Sequence, residues 1–240
     1  MTVPELLEQQ KQYYKARAAE YDQWFYRQGR YDFGIEHTKQ WEAEARLVRQ
    51  HLTVTNLTGQ VLEFAAGTGI WTQELLKSAD HVTALDSSAE VLEINRYKTQ
   101  SENVTYEVVD IFEWQPQATY DAVFMGFWLS HIPPSKLSGF IAIVKKVLKP
   151  GGKIFLIDSL PKPSSTARDM AASLIEHAAR PPSADEGTRM TRRLNDGREF
   201  EIVKVFYVPA DLANAFRAYN LQVEIKKTGN FFLYGSGILP

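Results

Sequence analysis

Between Gly59 and Asp158 short apolar runs alternate with helical stretches, and this alternation limits the possible folds of the 240-residue chain more than any other feature. Residues 61–65, 81–86, 104–110, 120–125 and 153–158 read as strands, short and apolar or β-branched. Residues 70–77, 88–98 and 135–148 read as helices between them. The second has Ser87 or Ser88 as its cap, and the third is stopped by Pro150-Gly151-Gly152. The run 120–125 is continuously apolar, as in strands buried on both faces. Strands and helices alternating at this spacing build βαβ units, so a mostly parallel sheet with helices on both faces is expected.

The flanking regions differ. Residues 1–57 carry helical spacing through Leu6, Leu7, Gln10, Tyr13, Tyr14 and Arg17, and again over 34–51 with Trp41, Ala45, Leu47 and Val48 near one face. Between them 21–31 is dense in aromatics and arginine and reads as a loop or broken helix. The stretch 159–198 is polar, with Pro161, Pro163, Pro181 and Pro182, and holds one expected helix, 166–179. Asn195-Asp196-Gly197 signals a hairpin between strands near 190–194 and 199–207. A helix over 209–219 and strands over 221–227 and 231–235 follow. The reading is one domain over 1–240: a helical, aromatic cap (1–57), a core (58–158), a cap insertion (159–198) and C-terminal strands with a helix (199–240).

The sharpest local signal is Val61-Leu62-Glu63-Phe64-Ala65-Ala66-Gly67-Thr68-Gly69, small residues between a strand and a helix. Ala65, Gly67 and Gly69 let the backbone bend and approach a ligand, and the helix start offers free N–H groups. No third glycine completes a dinucleotide pattern, and no Gly-Lys-Ser/Thr makes a P-loop. Glu63, Asp86 and Asp110 fall at the carboxyl ends of three successive expected strands, the edge where open α/β sheets bind ligands. Three acids oppose a polyphosphate and suit a nucleoside carrying positive charge.

These segments, with Leu85-Asp86, Val109-Asp110-Ile111, Tyr120-Asp121-Ala122-Val123 and Leu148-Lys149-Pro150-Gly151-Gly152, resemble in order and spacing the class I S-adenosylmethionine-dependent methyltransferases of small-molecule type. The resemblance implies a Rossmann-like seven-stranded sheet, order 3-2-1-4-5-7-6, with the seventh strand antiparallel. It implies S-adenosyl-L-methionine as cofactor, leaving as S-adenosyl-L-homocysteine. Glu63 and the turn Ala65, Gly67, Thr68, Gly69 would then hold the methionine part, with Gly126 beside them. Asp86 with Ser87 would take the ribose, and Asp110 with Ile111 and Phe112 the adenine. Tyr14, Arg17 and Tyr21 match an element that closes over the cofactor in similar enzymes. The sequence departs from the family pattern where Glu63 replaces Asp and Ala65 replaces Gly.

Under that resemblance the segment Gly126-Phe127-Trp128-Leu129-Ser130-His131 follows the fourth strand, where similar enzymes meet the methyl acceptor. His131 is the candidate general base, since histidine titrates near neutrality; a turn-capping or packing role is the other reading. Trp24, Tyr26, Tyr31, Phe127 and Trp128 are candidate walls of an acceptor pocket, or packing for the cap. Arg27, Arg30, Arg189, Arg192 and Arg193 either recognise an anionic acceptor or lie at the surface.

Composition narrows the partners. With no cysteine, thiol chemistry and cysteine-built metal sites are excluded, and no metal is expected. A formal charge of −2 gives no general pull toward nucleic acid or anionic membrane. Nucleic-acid amino methyltransferases carry Asp/Asn-Pro-Pro-aromatic where Gly126-Phe127-Trp128 stands, so a nucleic-acid acceptor is not expected. No apolar run approaches the roughly 18 residues of a membrane span, and the polar start does not read as a secretory signal, so a cytoplasmic protein is expected. The expected function is methyl transfer to an oxygen or nitrogen of a small molecule. A nicotinamide-dependent dehydrogenase and a non-catalytic S-adenosylmethionine-binding or interaction protein are the alternatives. Oligomeric state is open.

Overall fold

The structure, a computed structural model, describes residues 1–178 and 185–240. Pro181, Pro182 and the last residue of the expected helix 166–179 lie outside the described residues. Seven strands form one sheet in the order β3-β2-β1-β4-β5-β9-β8. They are β1 (Gln60–Phe64), β2 (His81–Asp86), β3 (Val104–Val108), β4 (Tyr120–Gly126), β5 (Leu148–Ser159), β8 (Gln222–Lys227) and β9 (Phe232–Ile238). The first five run parallel, and β9 is antiparallel to both β5 and β8. This is the expected Rossmann-like order once the hairpin β6 (Arg189–Arg193) and β7 (Glu199–Val203), a separate two-stranded sheet, is set apart.

The apolar central strands explain the layering. Alternate residues of β1 face opposite sides, so Val61 joins Trp41, Val48, Leu75 and Phe124 in one core, while Leu62 and Phe64 join Phe140, Val144 and Phe216 in the other. Helices α3 (Ile35–Thr55), α4 (Thr72–Leu75) and α5 (Ala89–Thr99) accompany the first core, and α6 (Pro134–Val147) and α8 (Pro209–Arg217) the second. Among the described residues no helix is long and apolar enough to cross a membrane.

Several boundaries differ from the sequence reading for local reasons. Strand β3 ends at Val108, because the Asp110 carboxylate accepts the Phe112 N–H (2.9 Å) and turns the chain. Helix α4 is one turn long, since Gly67 and Gly69, at φ +57° and +87°, extend the preceding turn into the span expected to be helical. The expected helix 166–179 is a 3-10 turn (Arg168–Met170) followed by α7 (Ala171–Ala178), with a further 3-10 turn, Pro163–Ser165, ahead of it. Leu47 is exposed, outside the buried face of α3.

Two segments cover the carboxyl ends of the strands. Helix α1 (Val3–Ala16) begins in a capping box between Thr2 and Glu5. Its buried stripe, Leu6, Gln10 and Tyr13, packs on β7 and its flanks. The Gln10 amide donates to the His131 carbonyl and accepts from the Val203 N–H, both at 3.0 Å. Residues 21–31 are a broken helix: α2 (Tyr21–Phe25), then a 3-10 turn. This piece is sewn to the stretch after β5. Trp24 donates to the Ser165 carbonyl (2.7 Å), Arg27 to the Ser164 carbonyl (2.7 Å), and Arg30 grips Asp169 through two nitrogens.

Candidate active site

Strands β1, β2 and β4 deliver their last residues to one edge. Just past β1 and β4, Ala65 and Phe127 adopt left-handed φ angles of +53° and +55°, which L residues rarely take. Such strain gathers where the surrounding structure holds a functional conformation. Gly69 admits no side chain, since a Cβ there would lie 2.6 Å from the buried Asn95 amide oxygen.

The three acids have distinct environments. Glu63, 1% exposed, accepts from the Thr72 hydroxyl (2.6 Å), which in turn accepts from the Asn95 amide (2.8 Å). Burial pushes the Glu63 carboxyl up to about 8, against the Thr72 hydrogen bond. Asp86 accepts the N–H groups of Gly67 and Ser88 (3.0 Å each). Burial raises its pKa, and those two donors oppose the rise. Asp110 sits half-buried at the far side with Lys11 Nζ 3.2 Å from it.

A cavity opens between Asp86 and Asp110, lined also by Ser87, Ile111 and Phe112, with Ala65, Gly67 and Gly126 along its floor. A small recess behind the floor is lined by Glu63 and Thr68. The cavity has the Asp86 and Asp110 carboxylates in its lining, a Phe112–Trp128 ring pair 5.5 Å apart along its side and open backbone at Gly67, where a Cβ would meet nothing closer than 3.9 Å. Acceptor carboxylates, aromatic faces and accessible backbone fit a nucleoside with a cationic tail.

A second cavity lies on the other side of Tyr14, Tyr21, Phe127 and His131, which line both. Its further lining includes Arg17, Trp24, Tyr31, Arg192 and Lys204. His131 is buried in the shared wall. Its Nδ1 lies 2.8 Å from the Val203 carbonyl, which only accepts, so Nδ1 carries the proton. Nε2 then accepts from the Tyr14 hydroxyl at 2.8 Å. Burial first, then the positive charges of Lys204, Arg192 and Arg17, hold the imidazole well below its ordinary pKa and therefore neutral.

The structure thus brings most of the expected residues to one double cavity, with some redistribution. Trp128 lines the first cavity and not the second. Tyr26 lines neither; it is 49% exposed, with its ring edge-on to Phe25. Thr68 is buried with its hydroxyl on Asp22 (2.6 Å), holding α2 to the turn. Sequence reasoning missed Lys11, on the first cavity, and Lys204, on the second. A lysine bracketed by Ile202, Val203, Val205 and Phe206 was the available signal for the latter.

A family model described as "Methyltransferase domain" matches residues 61–152. The demethylmenaquinone methyltransferase of Tropheryma whipplei (strain Twist) is 31% identical over 100 residues, 41% of this chain and 41% of that protein. The ubiquinone biosynthesis O-methyltransferase of Xanthomonas oryzae pv. oryzae (strain PXO99A) is 28% identical over 169 residues, 69% of this chain and 63% of the relative. The chain therefore spans about two fifths of the length of the first of these curated relatives. Solved structures extend the likeness. A DhpI–SAH complex superposes with a TM-score of 0.77 at 32% identity, covering 98% of both chains. A DhpI–SAM–HEP complex does so with the same score and identity over 99% of both. These likenesses set aside the nicotinamide reading: the chain belongs to the class I S-adenosylmethionine-dependent methyltransferases, with S-adenosylmethionine as its cofactor.

Proposed function

We propose that the chain transfers a methyl group from S-adenosylmethionine to an oxygen or nitrogen of a small molecule seated in the second cavity, by in-line displacement. The observation that carries this reading is the shared wall: Tyr14, Tyr21, Phe127 and His131 face both cavities, so two ligands meet across it. When bound, the cofactor supplies a methyl group on a positively charged sulfur, already activated for displacement. What the chain adds is alignment and the exclusion of water, which convert an encounter into a near-attack geometry.

Each residue then has a task. Glu63, Thr68, Gly69, Ala65 and Gly67 shape and hold the methionine end, with Gly126 across from them. Asp86 and Ser87 take the ribose hydroxyls. Asp110, Ile111 and Phe112 take the adenine. Arg17 braces the Tyr21 ring from 5.0 Å. Trp24, Tyr31 and Phe127 wall the acceptor. For a hydroxyl acceptor the proton passes to the Tyr14–His131 pair. The only lone pair on the imidazole already points at Tyr14 Oη, so His131 acts through that hydroxyl.

Calorimetry with S-adenosylmethionine and S-adenosylhomocysteine, followed by labelled-methyl transfer to a panel of small hydroxyl, acid and amine acceptors, tests the reading. Absence of binding by either nucleoside would remove it. Binding without transfer to any acceptor class would leave a non-catalytic cofactor-binding protein.

A further inference from the structure

The second cavity holds more positive charge than its surroundings balance. Lys204, 5% exposed, is fully engaged: its Nζ donates to the Ser130 and Ser159 hydroxyls (2.7 Å each) and lies 3.6 Å from Asp158. Asp158 is itself held by the Ser130 and Ser159 N–H groups, at 2.8 and 2.7 Å. That pair is internally neutral. Two guanidinium groups remain. Arg17, 8% exposed, donates among the described residues only to the Tyr31 hydroxyl (3.2 Å), and its Nε finds no partner among them. Its other neighbours are the ring faces of Tyr13, Tyr21 and Tyr31 at 5.0–5.7 Å. Arg192 donates, among the described residues, only to the Thr166 hydroxyl (2.8 Å). Neither has a carboxylate partner among the described residues.

A structural arginine in the same cover looks different. Arg27 is also buried and its Nε is likewise unpartnered among the described residues, but its terminal nitrogens end on the carbonyls of Trp24, Ser164 and Ser165. Arg193, at the rim, pairs with Glu199 (2.5 Å). Desolvating a cation without a counter-charge costs more than ring faces return. The excess is also felt by its neighbours: burial, with Arg192 and Arg17 working against Asp158, brings Lys204 down to about 8.

Building on the methyltransferase reading above, we propose that the acceptor is a small anion whose compact oxyanion head, of carboxylate, phosphoryl or sulfo type, sits between Arg17 and Arg192. Guanidinium forks match such heads through paired N–H donors. The head has two possible relations to the reaction. If its own oxygen is the acceptor, an oxygen lone pair forms the O–CH3 bond, the C–S bond breaks with its electron pair staying on sulfur, and a methyl ester and a thioether leave with no proton to place. If a hydroxyl elsewhere in the acid is the acceptor, the same bonds change and the hydroxyl proton goes to Tyr14–His131. In both cases Arg17 and Arg192 hold the charge.

The test uses the full chain saturated with S-adenosylhomocysteine, titrated with inorganic phosphate and with sulfate by calorimetry. One anion is expected to bind per chain. Arg192→Gln should weaken it by about tenfold or more, Arg192→Lys by less, and the nucleoside affinity should stay within about twofold in both. In labelled-methyl assays, small acids should be methylated and their amides and preformed methyl esters should not. With the best acid, Arg192→Gln should raise KM about tenfold and leave kcat within about threefold. Loss of negative charge in the product identifies the head as acceptor, and its retention identifies a distal hydroxyl. Normal nucleoside binding with no anion binding, or equal use of acids and their neutral amides, overturns the proposal alone. Failure of the nucleoside to bind overturns the methyltransferase reading and the proposal with it.

Discussion

Replacing Glu63 by glutamine should change how stability depends on pH. The carboxyl is 1% exposed and, with burial as the main cause, its pKa stands at about 8 against an ordinary value of 4.5. A carboxyl with a raised native pKa holds its proton more tightly when folded. Its contribution to stability is therefore complete below pH 4.5, falls as pH rises toward 8, and is lost above it. The full span is at most about 5 kcal/mol at about 1.4 kcal/mol per pH unit, and water entering the recess reduces it, so roughly 2–3 kcal/mol is the working expectation. The amide of Glu63→Gln cannot ionise, and its oxygen can still accept from Thr72. The advantage of the variant should be small near pH 5.5 and grow to roughly 5 °C or more in Tm at pH 9 for a chain of this size. Thermal melts of the ligand-free chain from pH 5.5 to 9 read this directly, and parallel curves for parent and variant would refute the argument. The same proton gives a second reading. If Glu63 meets the cationic tail of the cofactor, binding expels the proton, and affinity should rise by up to about tenfold per pH unit below pH 8 in the parent but not in the variant. Calorimetry in buffers of different ionisation enthalpy would detect the released proton.

Other expectations follow from the same geometry. His131→Ala should lower turnover by about tenfold or more with nucleoside affinity little changed, and Tyr14→Phe should do the same if the pair works as a unit; intact turnover in either variant would take that residue out of proton transfer. Gly69→Ala should cost about 2 kcal/mol or more, read as a lowered denaturant midpoint, because φ is +87° and the new methyl meets Asn95. Ala65→Gly should leave stability unchanged or raise it by up to about 1 kcal/mol, since relief of the left-handed strain at φ +53° outweighs the extra freedom of the unfolded chain.

The parallel sheet was legible because its central strands are nearly pure apolar runs with small or acidic ends. Such runs have no stable place except between two layers. Element ends were harder. Where Asp110 turns the chain through its own carboxylate, or glycines unwind the first turn of α4, one side-chain hydrogen bond or φ angle decides, and periodicity cannot see either. The acids on the sheet edge were readable from strand endings alone. The second cavity was not, because its walls come from residues distant in the chain: Arg17, His131, Arg192 and Lys204 meet only after α1, β4 and the β6–β7 hairpin have packed. The tautomer of His131 was beyond sequence altogether, being set by the carbonyl of Val203, 72 positions away.

The bonds that hold the two covering segments down have a kinetic meaning. Trp24, Arg27 and Arg30 on one side grip Ser165, Ser164 and Asp169 on the other, while Gln10 clasps both the His131 turn and β7. Neither cover can lift without breaking its own set of these bonds. Moving either cover should therefore cost those bonds, and a slow opening step, read as a kcat that falls with solvent viscosity, is the expected signature.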